Sequence, residues 1–210
     1  MSSVVTGRRL TAVPENDGVD AAVAAARRVV AALLHTGNKS AAEMGEVAGR
    51  LDAVAGYLEE HAPDRHERFV DMWNGEGVAR HDPVTGPENA IAPPLHLCGM
   101  PDGSVEGRVT LGMPYQGPPG CVHGGISALL LDHALGMANH WGPGPSGMTG
   151  TLTLRYEHTT PLYEELTIRA QQQSHDGRKI RTTAQLTSAD GTVCVTADAI
   201  FIARMVERPR

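Results

Sequence analysis

Asp132 is a carboxylate placed inside the most apolar segment of the chain. Three leucines, 129 to 131, precede it, and Leu135 follows three residues later. Burying a carboxylate without partners is costly, so such a residue is either satisfied by hydrogen bonds or kept for use. A desolvated carboxylate gains basicity and can act as a general base or as a nucleophile. Asp132 is therefore the first candidate catalytic residue.

His123, Gly124 and Gly125 stand directly before the same apolar segment. If that segment is a helix, its free backbone N–H groups and the positive end of its dipole converge at these residues. Such a helix start can hold a developing oxyanion, and a glycine lets a carbonyl approach the backbone closely. We predict Gly124 as the donor and Gly125 as its neighbour. Taken alone the three residues could be a plain turn, but their combination with Asp132 favours a site.

The spacing of these two features predicts a homo-oligomer. Gly124 and Asp132 are eight residues apart, which spans roughly 12 Å along a helix. One reacting carbon cannot touch both groups of the same helix. If both act in one reaction, a second subunit must supply one of them, with two such helices side by side across a homodimer interface.

The surrounding elements predict an α+β domain. Residues 126–138 are apolar on almost every face, which is typical of a helix buried all round. Alternating apolar and polar residues predict one strand before it, at 105–111, and four after it, at 151–156, 165–171, 179–186 and 192–203. Asp190-Gly191 is a strong hairpin turn between the last two. The expected fold is a largely antiparallel sheet curled about a central helix.

Residues 1–102 are predicted to form an extension to the main domain, which covers 103–210. Helical periodicity runs from Asp17 to about residue 36, with Asn16 or Asp17 as N-cap and Gly37 at the end. A second helix follows Ser40 and closes before Pro63. The two apolar stripes could pack together as a helical hairpin that covers the main domain or a partner. Residues 63–103 are predicted to form an irregular connection with one helical turn at 68–73.

Composition excludes several classes of protein. The net charge of -6 argues against nucleic-acid binding, and the chain has no apolar stretch long enough to span a membrane. The first ten residues lack a secretion signal, so we expect a cytoplasmic protein. His133 and His140 are seven residues apart, but no third ligand has a supporting spacing, so no metal is expected.

The motifs above resemble those of hotdog-fold acyl-CoA thioesterases of the 4-hydroxybenzoyl-CoA thioesterase superfamily. The resemblance covers residues 105–202 and rests on VHGGISALLLDHALGMA and MTGTLTLRYEHTTPLYEEL, followed by GRKIRTTAQL and GTVCVTADAIFI. It is strongest to phenylacetyl-CoA-type and long-chain acyl-CoA enzymes. It implies that Gly124 binds the thioester oxygen, that Asp132 activates water or attacks the carbonyl, that Thr149 positions the water, and that His123 hydrogen-bonds near the thioester.

For such a reaction no cofactor is needed, and the phosphates of coenzyme A call for basic residues. Arg155 and Arg181 are candidate substrate-binding residues, together with Gly125. Assembly of two homodimers into a dimer of dimers is a further alternative. Two other functions fit the same fold: hydration of an enoyl thioester, or non-catalytic binding of acyl thioesters with the N-terminal hairpin as a docking surface.

Overall fold

Seven antiparallel strands and three helices make up the part of the chain that the structure describes. This computed structural model describes residues 7–16, 18–37, 39–64 and 80–203. The predicted N-cap Asp17 and the predicted turn at 68–73 lie outside those residues. In chain order the elements are β1 (Arg8–Arg9), α1 (Gly18–His35), α2 (Ala41–Glu60), β2 (His96–Gly99), β3 (Ser104–Thr110), a 3₁₀ turn (Met113–Tyr115), α3 (Gly124–Trp141), β4 (Gly147–Tyr156), β5 (Glu165–Asp176), β6 (Lys179–Thr187) and β7 (Val193–Ala203).

The strands form one sheet in the order β1-β2-β3-β5-β6-β7-β4, with every neighbouring pair antiparallel. Side chains alternate along a strand, and the inner strands β3, β5, β6 and β7 bury much of one face, whereas the two edge strands β1 and β4 have no buried residue. In β6, for example, Ile180, Ala184 and Leu186 are buried while Lys179 and Arg181 are exposed. β4 stands at one edge of the sheet, paired with β7.

Helix α3 packs on one face of this sheet and forms the core with it. Its buried residues recur at helical spacing: Ser127, Leu130, Leu131, Ala134, Leu135, Ala138 and Asn139. The strands supply the opposing layer, which includes Val105, Ile168, Leu186 and Phe201. An antiparallel sheet packed on one central helix is the hotdog arrangement, as predicted.

One expectation about α3 was wrong for the single chain. The predicted burial on all sides is found on the sheet side alone. On the other side Leu129 is 37% exposed, and a Cβ added at Gly136 would meet no atom within 4 Å. One side of this apolar helix is therefore open in the single chain.

The five predicted strands are all present, but two further strands were missed. β1 has two residues and β2 has four, and β2 lies in the segment that was expected to be irregular. Both precede residue 103, where the main domain was predicted to begin. The division at 102 and 103 itself remains a prediction.

The two N-terminal helices form where the periodicity indicates. Gly37, with φ of +63°, follows α1. Ser40 is the N-cap of α2 and forms a capping box: its hydroxyl accepts a hydrogen bond from the Glu43 N–H, and the Glu43 carboxylate accepts one from the Ser40 N–H. No residue of α2 is buried. The apolar stripe of α2, which was predicted to pack on that of α1, is therefore not buried in the single chain.

Helix α1 is tied to the connecting segment by two arginines. Arg80 contacts the buried carboxylate of Asp20 at 2.6 Å and Glu88 at 2.6 Å. Arg27 donates to the carbonyls of Gly86 and Asn89. Among the described residues, no helix has the length and apolar character needed to cross a membrane.

Candidate active site

The first turn of α3 leaves one backbone donor free. His123 is the N-cap, with extended backbone, and its Nδ1 accepts a hydrogen bond of 3.0 Å from the Gly125 N–H. Its carbonyl accepts from the N–H groups of Ile126 and Ser127. Within the described part of the chain, the N–H of Gly124 has no acceptor. This group is therefore available to an oxygen atom of a ligand.

Tyr156, the last residue of β4, lies against this helix start. Its hydroxyl donates a hydrogen bond of 3.1 Å to the carbonyl of Gly124, and a Cβ at Gly124 would stand 3.3 Å from its ring. Because glycine has no Cβ, the Tyr156 ring can approach the backbone at Gly124 without a steric clash. Tyr156 has no predicted role, because in the sequence it is one of several alternating apolar residues of a predicted strand.

Asp132 lies two turns further along α3 and is half-buried. Its Oδ1 is buried and has no hydrogen-bond partner among the described residues. The two residues before it, Leu130 and Leu131, are fully buried in the apolar core. Buried polar atoms in proteins nearly always have a partner, so an unpaired carboxylate oxygen requires an explanation. A ligand or a catalytic water would supply one.

The side of α3 that carries Asp132 faces β4. Residues seven apart lie almost on the same line along a helix, so Asp132 shares its flank with Asn139. The Asn139 side-chain amide donates a hydrogen bond of 3.0 Å to the carbonyl of Gly147, the first residue of β4. Asp132 therefore lies on the flank of α3 nearest β4, and we call the space between these two elements the α3–β4 groove.

A β-bulge turns Thr149 toward the same groove. Along β4, Thr151 pairs with Ile200, but Thr149 pairs with the buried Phe201, so that Gly150 is an extra residue. Because directly paired residues share a face of the sheet, the bulge moves Thr149 onto the side of α3. Simple alternation would have placed it on the opposite face with Thr151.

These residues form two groups within one chain. Asp132 and Thr149 face the α3–β4 groove, whereas His123, Gly124 and Tyr156 gather at the start of α3. About 12 Å of helix separates Gly124 from Asp132. The single chain therefore brings Asp132 and Thr149 to one groove but does not bring either of them to the helix start.

Comparison with known proteins identifies the family. The chain is 57% identical to a solved structure described as protein RHA08564, a thioesterase superfamily protein, over 95% of this chain and 98% of that one, with a TM-score of 0.85. The chain belongs to the thioesterase superfamily. This superfamily member also resembles zebra fish thioesterase superfamily member 2 in fold, at 18% identity and a TM-score of 0.50 over 66% of this chain and 94% of that one.

Other relatives of this superfamily member match parts of it. Residues 10–67 match a family model described as the N-terminal helical domain of hypothetical protein RHA1_ro05818. The acyl-coenzyme A thioesterase THEM4 of Xenopus laevis is 36% identical over 91 residues, which is 42% of this chain and 40% of that protein. The Bos taurus THEM4 is 34% identical over 93 residues, 43% of this chain and 38% of that protein. The match thus spans about two fifths of these curated relatives.

In this thioesterase-superfamily protein the predicted substrate-binding arginines lie away from the groove. Arg181 forms an exposed ion pair of 2.8 Å with Asp198, and Arg155 is 3.8 Å from Glu157 with 79% of its side chain exposed. Both project from the sheet face opposite α3, as their cross-strand partners Ile200 and Thr196 indicate. Within one chain they do not meet Asp132. Gly125, the third predicted binding residue, has its N–H capped by His123.

His133 lies on the flank of α3 away from β4 and faces the connecting segment. Its Nδ1 is 3.8 Å from the Asp82 carboxylate. Burial lowers the pKa of His133, although the carboxylates of Asp82 and Asp132 act to raise it. Among the described residues of this superfamily member, no group of three metal-ligating side chains comes together.

Proposed function

We propose that this protein hydrolyses acyl-CoA thioesters to a free acid and coenzyme A. The observation that carries the proposal is the buried, unpartnered Oδ1 of Asp132, on the flank of α3 that faces Thr149. Membership of the thioesterase superfamily and the similarity to relatives named acyl-coenzyme A thioesterase support the same reaction.

The roles of the residues follow from their chemistry. The free N–H of Gly124 donates to the thioester oxygen and stabilises the negative charge that develops there, and His123 donates a second hydrogen bond near the thioester. Thr149 holds a water that Asp132 deprotonates, and the hydroxide attacks the carbonyl carbon. The C–S bond then breaks and the coenzyme A thiolate leaves. Alternatively, the Asp132 carboxylate attacks the carbonyl carbon and displaces the coenzyme A thiolate to form an anhydride, which water then hydrolyses to the free acid and the regenerated carboxylate.

Either route requires two copies of the chain. The distance along α3 separates Asp132 from Gly124 of the same copy, so the helix start of a second copy must lie beside Asp132 of the first. The open side of α3, with Leu129 and Gly136, offers a surface for that approach. We therefore propose a homodimer, or a dimer of dimers, in which each site combines residues of two subunits.

Phosphate binding by Arg155 and Arg181 also depends on assembly. Both lie on the sheet face away from α3 in their own chain. They would therefore bind phosphates only if the coenzyme A tail extends to that face, or if the face borders the site of a neighbouring subunit. Gly125 remains a proposed neighbour of the oxyanion donor. The cytoplasmic location and the absence of a cofactor likewise remain predictions.

The deciding experiment measures free thiol released from a panel of acyl-CoAs. For Asp132→Ala we expect a loss of about 100-fold or more in kcat. Asp52→Ala is the matched control, since Asp52 is exposed on α2, and it should behave as wild type. Thiol release unchanged by Asp132→Ala would refute the mechanism. Absent hydrolysis with retained acyl-CoA binding would favour the non-catalytic alternative, and hydration of an enoyl-CoA without thiol release would favour a hydratase.

A further inference from the structure

Tyr156 and His123 hydrogen-bond to opposite sides of one peptide group. The Tyr156 hydroxyl donates to the Gly124 carbonyl at 3.1 Å, and the N–H of Gly125 donates to His123 Nδ1 at 3.0 Å. That carbonyl and that N–H belong to the same peptide bond. A continuous chain of hydrogen bonds therefore runs from the end of β4, through the first peptide of α3, to the imidazole ring.

This chain fixes the tautomer of His123. A backbone N–H can only donate, so Nδ1 must carry a lone pair. The proton of the neutral ring is then on Nε2, and the exposed ring presents Nε2–H as a donor. Hydrogen bonds in a chain polarise one another, by about 10–30% each in condensed-phase estimates. The Tyr156 hydroxyl thus strengthens the bond from Gly125 that holds the ring.

We propose that Tyr156 is a positioning residue that holds His123 and Gly124 in their working geometry. This inference rests on the proposed function, in which His123 Nε2–H and the Gly124 N–H both face the thioester. Tyr156 acts through the peptide between Gly124 and Gly125. Its ring, packed 3.3 Å from the position of a Gly124 Cβ, keeps that peptide from tilting.

A contribution to folding stability alone does not account for the Tyr156 hydroxyl. Tyr156 is 55% exposed and stands at the end of an edge strand, so it buries little apolar area. A hydrogen bond at so exposed a site adds little to the free energy of unfolding, because water can replace it. The Gly124 carbonyl already accepts the first-turn helical bond from the Ala128 N–H, so the Tyr156 hydroxyl is a second donor with a fixed direction, which a water molecule would not reproduce.

The test compares Tyr156→Phe with wild type and with Tyr163→Phe. Tyr163 is the matched control, since it is 59% exposed and its hydroxyl has no assigned role. In thiol release we expect Tyr156→Phe to lower kcat about 10-fold with KM changed less than twofold, as for an interaction made in the transition state. Melting temperature should change little in both variants.

A second measurement tests the inference without relying on turnover. Nitrogen-15 NMR of the His123 ring should find the Nε2–H tautomer in wild type and in Tyr163→Phe, and a mixture of tautomers in Tyr156→Phe. An unchanged tautomer in Tyr156→Phe, or an unchanged kcat in an active enzyme, would overturn the role of Tyr156. If wild type releases no thiol, the proposed function fails, while the NMR comparison still decides whether Tyr156 holds the ring.

Discussion

The side-chain amide of Asn139 donates a hydrogen bond to the carbonyl of Gly147, which ties the C-terminal half of α3 to the first residue of β4. At the other end of both elements, Tyr156 is bonded to Gly124. Two hydrogen bonds therefore clamp the edge strand against the helix, with Asp132 between them. The geometry of the α3–β4 groove depends on both.

Replacing Asn139 with alanine should loosen this groove. The change removes the donor to the Gly147 carbonyl, and the loss of one such part-buried hydrogen bond costs about 0.5–1.5 kcal/mol. Thr149 stands two residues after Gly147, so turnover should fall as well. Denaturant unfolding and thiol release measure the two effects. His140→Ala, at the exposed neighbouring position, should stay within about 0.5 kcal/mol of wild type. Equal effects of the two substitutions would contradict the clamp.

Asp132→Asn should remove activity without lowering stability. The Asp132 Oδ1 has no partner among the described residues, so neutralising the carboxylate removes a desolvated charge and breaks no hydrogen bond seen within the chain. Functional sites often hold such unfavourable groups. Thermal unfolding should give a melting temperature equal to or above that of wild type, while kcat falls about 100-fold or more.

Asp82→Asn provides the contrast for that prediction. Asp82 Oδ1 accepts hydrogen bonds from the backbone N–H groups of Val84 and Thr85, at 2.8 and 2.9 Å. Loss of the charge weakens both bonds, so this variant should melt below wild type. If Asp132→Asn destabilised the protein as much as Asp82→Asn, Asp132 would have a structural partner and its proposed catalytic role would lose its basis.

The sequence predicted the main fold because its signals are local. Five strands follow from period-two alternation, and the turn at Asp190-Gly191 is formed, with the Gly191 N–H bonded to the Ser188 carbonyl. β1 and β2 were missed because they are too short to establish a period, and they form by pairing with a neighbouring strand, β2 with β3 and β1 with β2.

The site was less accessible to sequence reasoning than the fold. The roles of Asp132 and Gly124 remain predictions, although type and spacing single these residues out. The orientation of Thr149 depends on a bulge at Gly150, and alternation alone gives the wrong face. Tyr156 and Asn139 donate hydrogen bonds to backbone carbonyls 32 and 8 residues away, and nothing in their local sequence indicates those partners.

Gly136→Ala should weaken self-association of the protein. In the single chain a Cβ at Gly136 meets only open space, and alanine favours a helix over glycine by roughly 0.5–1 kcal/mol. A lone chain would therefore be stabilised. If the α3 helices of two copies approach closely there, the added methyl group obstructs them. Sedimentation equilibrium should detect weaker association for Gly136→Ala but not for Gly49→Ala, the matched change on α2. Unaltered association in both variants would place the interface elsewhere.

The stability of the protein should fall as the pH is lowered from 8 to 5, partly through His133. Burial lowers the pKa of His133 in the folded chain, against the raising effect of Asp82 and Asp132. Below about pH 6.5 the unfolded chain therefore binds a proton at this residue that the folded chain resists. The contribution is absent at pH 8, where the ring is neutral in both states. The destabilisation by His133 grows as the pH falls through the pKa of this residue in the unfolded chain. It becomes constant below the pKa of His133 in the folded chain.

The measurement for His133 compares denaturant unfolding of wild type and His133→Asn across this pH range. Asparagine does not titrate, so the difference in unfolding free energy between the two proteins should move in favour of the variant as the pH falls. The comparison at pH 8 gives the effect of the substitution on packing alone. A difference that stays constant from pH 8 to 5 would mean that His133 takes up its proton equally well in both states, and would contradict a pKa lowered by burial against the opposing effect of Asp82.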